Sequence, residues 1–160
     1  MIALRPITPE NEADVLRLQV TDDQRHFVAD NRRSLEEAAA CIRAGGHAFP
    51  FGIYDDDQPV GFLMVGYGVD DDWPNPPEIA HGSYNVWRLM IDENHQHRGC
   101  GRQALQLALD FVRTWPCGKA DICWLSYEPE NHVARELYRS MGFAETGDMD
   151  EGEVIAARGM

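Results

Sequence analysis

The chain has 160 residues, 44% of them apolar, and a formal net charge of −13; that length suits one domain with a real core and is short for two. No apolar stretch approaches the ~20 residues of a membrane span, and the excess of carboxylates argues against a nucleic-acid partner, because phosphate binding draws on clustered Lys and Arg. Small cationic partners are favoured instead, while solubility alone also accounts for such charge.

The opening "MIALRPITPE" has no basic segment, apolar block or small-residue cleavage site of a secretory signal, so a cytoplasmic location is expected. Within it "IALRPIT" alternates like a short strand, and "ENEADVLRLQV" follows as a first helix with Val15, Leu16 and Leu18 on one face. Residues 31–46 predict a second helix: Ser34 and Glu37 have capping-box spacing, Leu35, Ala38, Ala39 and Ile42 form a stripe, and Gly45-Gly46 stops it. The runs "AFPFGIY" and "PVGFLMVGYGV" flank an acidic turn at Asp55 to Gln58, the pattern of an antiparallel hairpin, with Gly61, Gly66 and Gly68 weakening its second strand. The polar, proline-rich "VDDDWPNPPEIAHGS" reads as a long loop and as the best candidate for a substrate lid.

A mostly buried strand "YNVWRLMID" comes next, then a helix from Gly99 to Trp115 that places Ala104, Leu105, Ala108, Phe111 and Val112 on one face. "ADICWLSY" is another buried strand, and residues 131–141 form a last helix with Ala134, Leu137, Tyr138 and Met141 in a stripe and Gly142 as terminator. Short strands around 143–146 and 153–157 complete the order β, α, α, β, β, β, α, β, α, β, β. This order predicts an α/β or α+β domain over 1–160, with a mixed, mostly antiparallel central sheet flanked by four helices.

Cys41, Cys100, Cys117 and Cys123 form no C-x-x-C pair and match neither a zinc ribbon nor a disulfide scaffold, so reduced, mostly buried thiols are expected. His95 and His97 are the only close histidine pair and lack metal-ligand spacing; no metal is expected.

The stretch "DENHQHRGCGRQAL", residues 92–105, sets Arg98 and Arg102 beside two glycines at a helix start. Cations there oppose the helix dipole by about 0.3–1 kcal/mol each. A bound anion reverses the sign, because glycines let it approach unpaired N–H groups and flanking basic side chains pair with what the backbone leaves exposed. From the turn alone, an anion site and a solvated surface turn are equally good readings. A P-loop pattern is absent. Gly99, Gly101 and Ala104 satisfy a dinucleotide fingerprint with Asp121 downstream, but "DENHQHR" separates the first glycine from its strand.

The same turn meets [QR]-x-x-G-x-[GA] through Gln96, Gly99 and Gly101, and "NHVARELYRSMGF" meets N-x-x-A-x-x-L-Y-x-x-x-G-F through Asn131, Ala134, Leu137, Tyr138, Gly142 and Phe143. In this order and context the two motifs resemble the GNAT N-acetyltransferase superfamily. "LRPIT", "QRHFVADNRRSLEEA", "WRLMID" and "LSYEPEN" extend the resemblance over nearly the whole chain, toward its bacterial spermine/spermidine (polyamine) acetyltransferase branch.

The resemblance implies the GNAT fold, acetyl-CoA as co-substrate, and direct attack by a primary amine in a ternary complex. It implies that the backbone of Leu89, Met90 and Ile91 binds the pantetheine arm and that Gln96, His97, Arg98, Gly99, Cys100, Gly101 and Arg102 hold the diphosphate mainly through their amides. A Leu89 or Met90 amide would also stabilise the oxyanion. Tyr138 becomes the proton donor to the CoA thiolate, and Asn131, a helix cap, also contacts the CoA arm. Gln24 and Phe27 are expected to line the acceptor groove. Glu78 and His81 are base candidates by position only, and Asp22, Asp23, Glu37, Asp70, Asp71 and Asp72 are sources of charge for distal amines. A small cationic amine is the expected partner, and a homodimer is common in the family. Alternatives are a protein N-terminus or lysine, an amino acid or an aminoglycoside as acceptor, or a non-catalytic CoA-binding sensor.

Overall fold

The computed structural model describes all of residues 1–160. Its elements follow the predicted order: β1 (Ile2–Pro6), α1 (Glu12–Leu16), α2 (Asn31–Arg43), β2 (His47–Asp55), β3 (Gln58–Tyr67), β4 (Tyr84–Ile91), α3 (Cys100–Val112), β5 (Ile122–Tyr127), α4 (His132–Ser140), β6 (Ala144–Asp150) and β7 (Glu153–Gly159). The strands form one seven-stranded sheet, ordered β1-β2-β3-β4-β5-β7-β6, in which only β4 and β5 pair in parallel. The parallel pair follows from α3, which returns the chain to the same end of the sheet, as a crossover helix does. No helix is long and apolar enough to cross a membrane.

Apolar alternation on both faces makes two main clusters. The larger joins Leu63, Tyr84, Val86, Cys123, Leu125 and Tyr127 to the buried face of α3, formed by Ala104, Leu105, Ala108, Leu109 and Val112. The smaller lies on the opposite face, where Val15 of α1 and Ala38 and Cys41 of α2 cover Phe62, Met64 and Met90. All four cysteines are free, and Cys41, Cys100 and Cys123 are buried.

Several boundaries differ from the sequence reading, each for a tertiary reason. The first helix is one turn long, with only Val15 buried. It ends because the Gln19 amide donates to the Asp92 carboxylate (3.0 Å) and the Glu93 amide donates to the Gln19 carbonyl (2.8 Å), drawing the chain to the end of β4. The cap of α2 is Asp30, in extended conformation and accepting from the Arg33 amide at 2.8 Å, so Ser34 and Glu37 form no capping box. Starting at Asn31 turns Asn31, Ser34, Ala38 and Cys41 inward, and leaves Ala39 and Ile42 outside. These small residues let α2 lie close against the sheet. The third helix stops at Val112, and Trp115 lies beyond it with φ 57°. Gly61 and Gly66 sit within an unbroken β3; a Cβ on Gly61 would lie 2.4 Å from the Met90 carbonyl oxygen, so the glycine permits the close approach of β4.

Strand β4 carries an irregularity at Trp87: Met64 and Val65 pair with Arg88 and Val86, leaving Trp87 unopposed. A bulge re-aims side chains. Tyr84, Val86, Leu89 and Ile91 thereby face the α3 side, while Trp87 and Met90 join the cluster under α1 and α2.

Candidate active site

The sheet opens where two strands part. β4 and β5 pair only at Tyr84–Cys123 and Asn85–Trp124. Beyond Asn85, β4 is bonded to β3 alone and β5 to β7 alone, so each leaves an edge of unpaired N–H and C=O groups facing the gap. A cleft of about 1180 Å³ runs through this opening. Predicted residues Leu89, Met90, Ile91, Gln96, His97, Gly99, Cys100, Gly101, Arg102, Asn131, Tyr138, Gln24 and Phe27 all line it. Arg98 does not; it is exposed and borders a separate small depression with Met1, Ile2 and Asp55. Glu78 and His81 are exposed and line no part of the cleft, which corrects their candidacy as base or acceptor contact. Their turn, Glu78–Ala80, packs Ile79 and Ala80 onto Trp124 and Ile155 and leaves both polar side chains to solvent. The same packing, with Trp73, anchors the loop read as a lid, whose Asp71 amide also donates to the Ala44 carbonyl.

At the mouth of the gap the chain passes through left-handed conformations at His97 (φ 63°) and Gly99 (φ 79°), the latter capping α3. The consequence is a run of amides, from Gln96 to Arg102, that meet no acceptor within the protein. A first helical turn leaves such donors free, and here the turn before it adds more. A Cβ on Gly101 would meet only Ile91 Cγ1 at 3.7 Å and Leu137 Cδ2 at 3.8 Å. The protein's own packing therefore does not demand glycine at 101, in keeping with a motif that admits alanine there. Arg102 donates to Ser140 Oγ at 2.6 Å, fixing the start of α3 against the end of α4. Cys100 is buried and its thiol raised by that burial, which disfavours the thiolate that a nucleophile needs.

The other wall is α4. Asn131 caps it, accepting from the Ala134 amide at 3.2 Å. No residue of this helix is fully buried: Ala134, Leu137 and Tyr138 reach the core on one side and line the cleft on the other. The Tyr138 ring is held against Tyr127 (centroids 5.7 Å) and Phe143 (6.2 Å). Burial pushes its phenol far above the ordinary value, and the charges of Glu153 and Tyr127 add to the rise.

Two further groups brace the turn. Asp92 is buried, and although burial opposes its charge, donation from the Gln19 and Asn94 amides and from His95 holds its carboxyl below the usual carboxylate range. Replacing Asp92 by Ala is expected to cost about 2 kcal/mol, because buried donors lose their acceptor. The sign with pH follows: a depressed folded value stabilises fully above the unfolded carboxylate value of ~3.9 and fades below it. The gap between wild type and variant in urea unfolding should thus narrow as pH falls below 4. Gln96 and Gln24 form a reciprocal amide pair, at 2.7 and 3.2 Å, and Gln96 also donates to the Ile91 carbonyl at 3.0 Å.

On the face of the sheet covered by α2, sequence reasoning missed the most. Arg88 points there, donating to Glu37 at 2.5 Å; burial lowers its guanidinium, and its Nε has no partner. Glu37, paired with both Arg33 and Arg88, has no charge to spare for a ligand, and Asp22, Asp23 and Asp71 lie outside the cleft. Asp70 and Asp72 do line it, joined by Glu128, Asp150, Glu151 and Glu153. None of these six is in an ion pair with the protein's own cations. Trp73, Trp87 and Trp124 stand among them. The available signal was Ser126, a polar residue at an alternate position of the apolar "CWLSY"; nothing in the sequence set Glu153 apart.

Known proteins share this arrangement. The model of the acetyltransferase (GNAT) family matches residues 13–143. A spermine/spermidine N(1)-acetyltransferase of Bacillus subtilis is 28% identical over 160 residues, covering 98% of this chain and 97% of its own. Among solved structures, aminoglycoside acetyltransferase AAC(6')-Ib in complex with coenzyme A superposes with a TM-score of 0.78 at 13% identity, covering 99% of this chain and 95% of that one. The PaiA N-acetyltransferase of Thermoplasma acidophilum, also in complex with coenzyme A, gives 0.67 at 15% identity, covering 100% and 99%. With the splayed strands, the glycine turn and the family match over most of its length, the chain belongs to the acetyltransferase (GNAT) family and is an acetyltransferase.

Proposed function

We propose that the protein transfers the acetyl group of acetyl-CoA to a primary amine of a small polycation of the spermidine or spermine kind. The observation that carries the acceptor is the set of cleft carboxylates without an ion-pair partner, set among tryptophans. Like charges left unpaired in a half-enclosed cleft repel one another, and a polyvalent cation relieves that cost. Tryptophan faces add attraction for ammonium groups of about 0.5–2 kcal/mol each. The full-length relative named for spermine and spermidine supports the same reading.

The fit to acetyl-CoA rests on the opposite face of the opening. Free amides from Gln96 to Arg102 suit a diphosphate, the unpaired edge of β4 suits the amides of pantetheine, and the apolar side of α4 suits its carbon chain. The thioester then lies between the two edges, with its carbonyl open to attack from the carboxylate side and its sulfur toward Tyr138. The amine nitrogen bonds to the carbonyl carbon, the C–S bond breaks, and the phenol supplies a proton to the departing thiolate. A location in the cytoplasm goes with this reading.

Thiol release from acetyl-CoA, measured across spermidine, spermine, putrescine, amino acids, aminoglycosides and peptides, tests it. Polyamines are expected to give the highest kcat/KM. Release with peptides alone would overturn the polyamine assignment, and tight CoA binding without release on any amine would favour a sensor.

A further inference from the structure

An amine that enters an acidic cleft arrives protonated, and the carboxylates that attract it also hold its proton. Some group must take that proton before nitrogen can attack. Such a group has to face the opening, carry no permanent cation of its own, and sit where a buried charge is already uncomfortable.

We propose that Glu153 is the catalytic base, with Ser126 as its positioning residue. Glu153 opens β7 and, through the antiparallel register of β5 and β7, its side chain meets Ser126 one strand over, whose hydroxyl donates to Oε1 at 2.7 Å. Its other oxygen has no hydrogen-bond donor in the protein, and no Arg, His or terminal amine pairs with it. It lines the same cleft as Tyr138, close enough for its charge to contribute to that residue's raised phenol. Tyr138 packs on the α3 face of the sheet and Glu153 shares the opposite face with Trp124 and Ile155, so the two groups reach the one opening from opposite faces. The groups that face it are Ser126 and Glu128 from β5 and the residue following it, Arg88 from β4 and Asp150 from β6. Burial raises its carboxyl, Glu128 and Asp150 add to the rise, and Ser126 and Arg88 oppose it. A carboxylate drawn toward neutrality is a better base than one in water.

The proton balance is complete. The ammonium gives one proton to Glu153, which passes it to solvent; the neutral nitrogen attacks and the C–S bond breaks. The thiolate takes the Tyr138 proton, and the second proton lost by nitrogen, as the amide forms, restores the phenol through cleft water.

This inference rests on amine acetylation and not on which amine is used, so the test employs whichever acceptor of the panel has the highest kcat/KM. Glu153→Gln is expected to lower kcat/KM by about 100-fold at pH 7, with acetyl-CoA affinity and the circular dichroism spectrum unchanged. The profile separates base from scaffold. Wild type should plateau above neutrality, whereas the variant, dependent on amine already neutral in solution, should rise about tenfold per pH unit toward the ammonium value of ~10. Ser126→Ala supplies an independent arm: the plateau persists and its acidic limb moves to higher pH, because a hydroxyl that favours the carboxylate has gone. Parallel profiles for wild type and Glu153→Gln, or an unmoved limb in Ser126→Ala, would overturn the assignment. Failure of polyamines in the panel would leave it standing.

Discussion

Replacing Tyr138 by Phe is expected to lower kcat by about two orders of magnitude, the usual contribution of a positioned proton donor, while leaving acetyl-CoA affinity unchanged. The ring is held by Tyr127 and Phe143, and Phe keeps those contacts, so only the hydroxyl is removed. Reference values of ~10 for a phenol and ~8.5 for a thiol make the transfer nearly balanced in water. In the cleft, burial moves the phenol well upward, which on its own makes it a poorer donor. The leaving thiolate forms in the same water-poor gap and is raised by the same cause. The two shifts offset one another, and the phenol stays protonated at every physiological pH. Steady-state kinetics with titration calorimetry of acetyl-CoA check the split between kcat and affinity; equal turnover in the variant would remove Tyr138 from the proton path.

Substitution of Gly101 by Ala should be tolerated, in contrast to the same change at Gly99. Alanine is the better helix former by up to about 1 kcal/mol, and the nearest atoms to its Cβ are at 3.7 and 3.8 Å. The variant is therefore expected to melt at or slightly above the wild-type temperature and to bind acetyl-CoA like wild type, since the motif of the turn admits alanine at this position. Gly99→Ala makes the contrast: φ of 79° strains any side chain, so this variant should lose about 1 kcal/mol of stability and bind acetyl-CoA at least about tenfold more weakly, a loss of about 1.4 kcal/mol. Thermal melts with and without acetyl-CoA read both quantities. A Gly99→Ala protein that binds acetyl-CoA like wild type would place the diphosphate elsewhere.

Element order was legible because each segment has a clear period; the glycine turn and Tyr138 stood out only through the family motifs they complete, since by period alone Tyr138 reads as one more residue of an apolar stripe. Helix starts were less so: Asp30 rather than Ser34 caps α2, and Asp92 ends α1 from 73 residues away. The acid–base pair proposed for catalysis was half visible. Tyr138 belongs to a motif, whereas Glu153 meets Ser126 only because β7 inserts between β5 and β6 in the sheet, an adjacency that no periodicity encodes. Glu78 and His81 were chosen for nearness in sequence to β4, but Ile79 and Ala80 fix how that turn sits.

The reciprocal amide pair of Gln24 and Gln96 has one more consequence. It joins the segment that carries Phe27, which also lines the cleft, to the first free amide of the glycine turn, and both partners are uncharged, so the link is indifferent to pH and salt. A ligand that steadies the turn steadies the neighbouring groove, and linkage makes the effect mutual: whatever acetyl-CoA adds to the affinity of the amine, the amine adds to the affinity of acetyl-CoA.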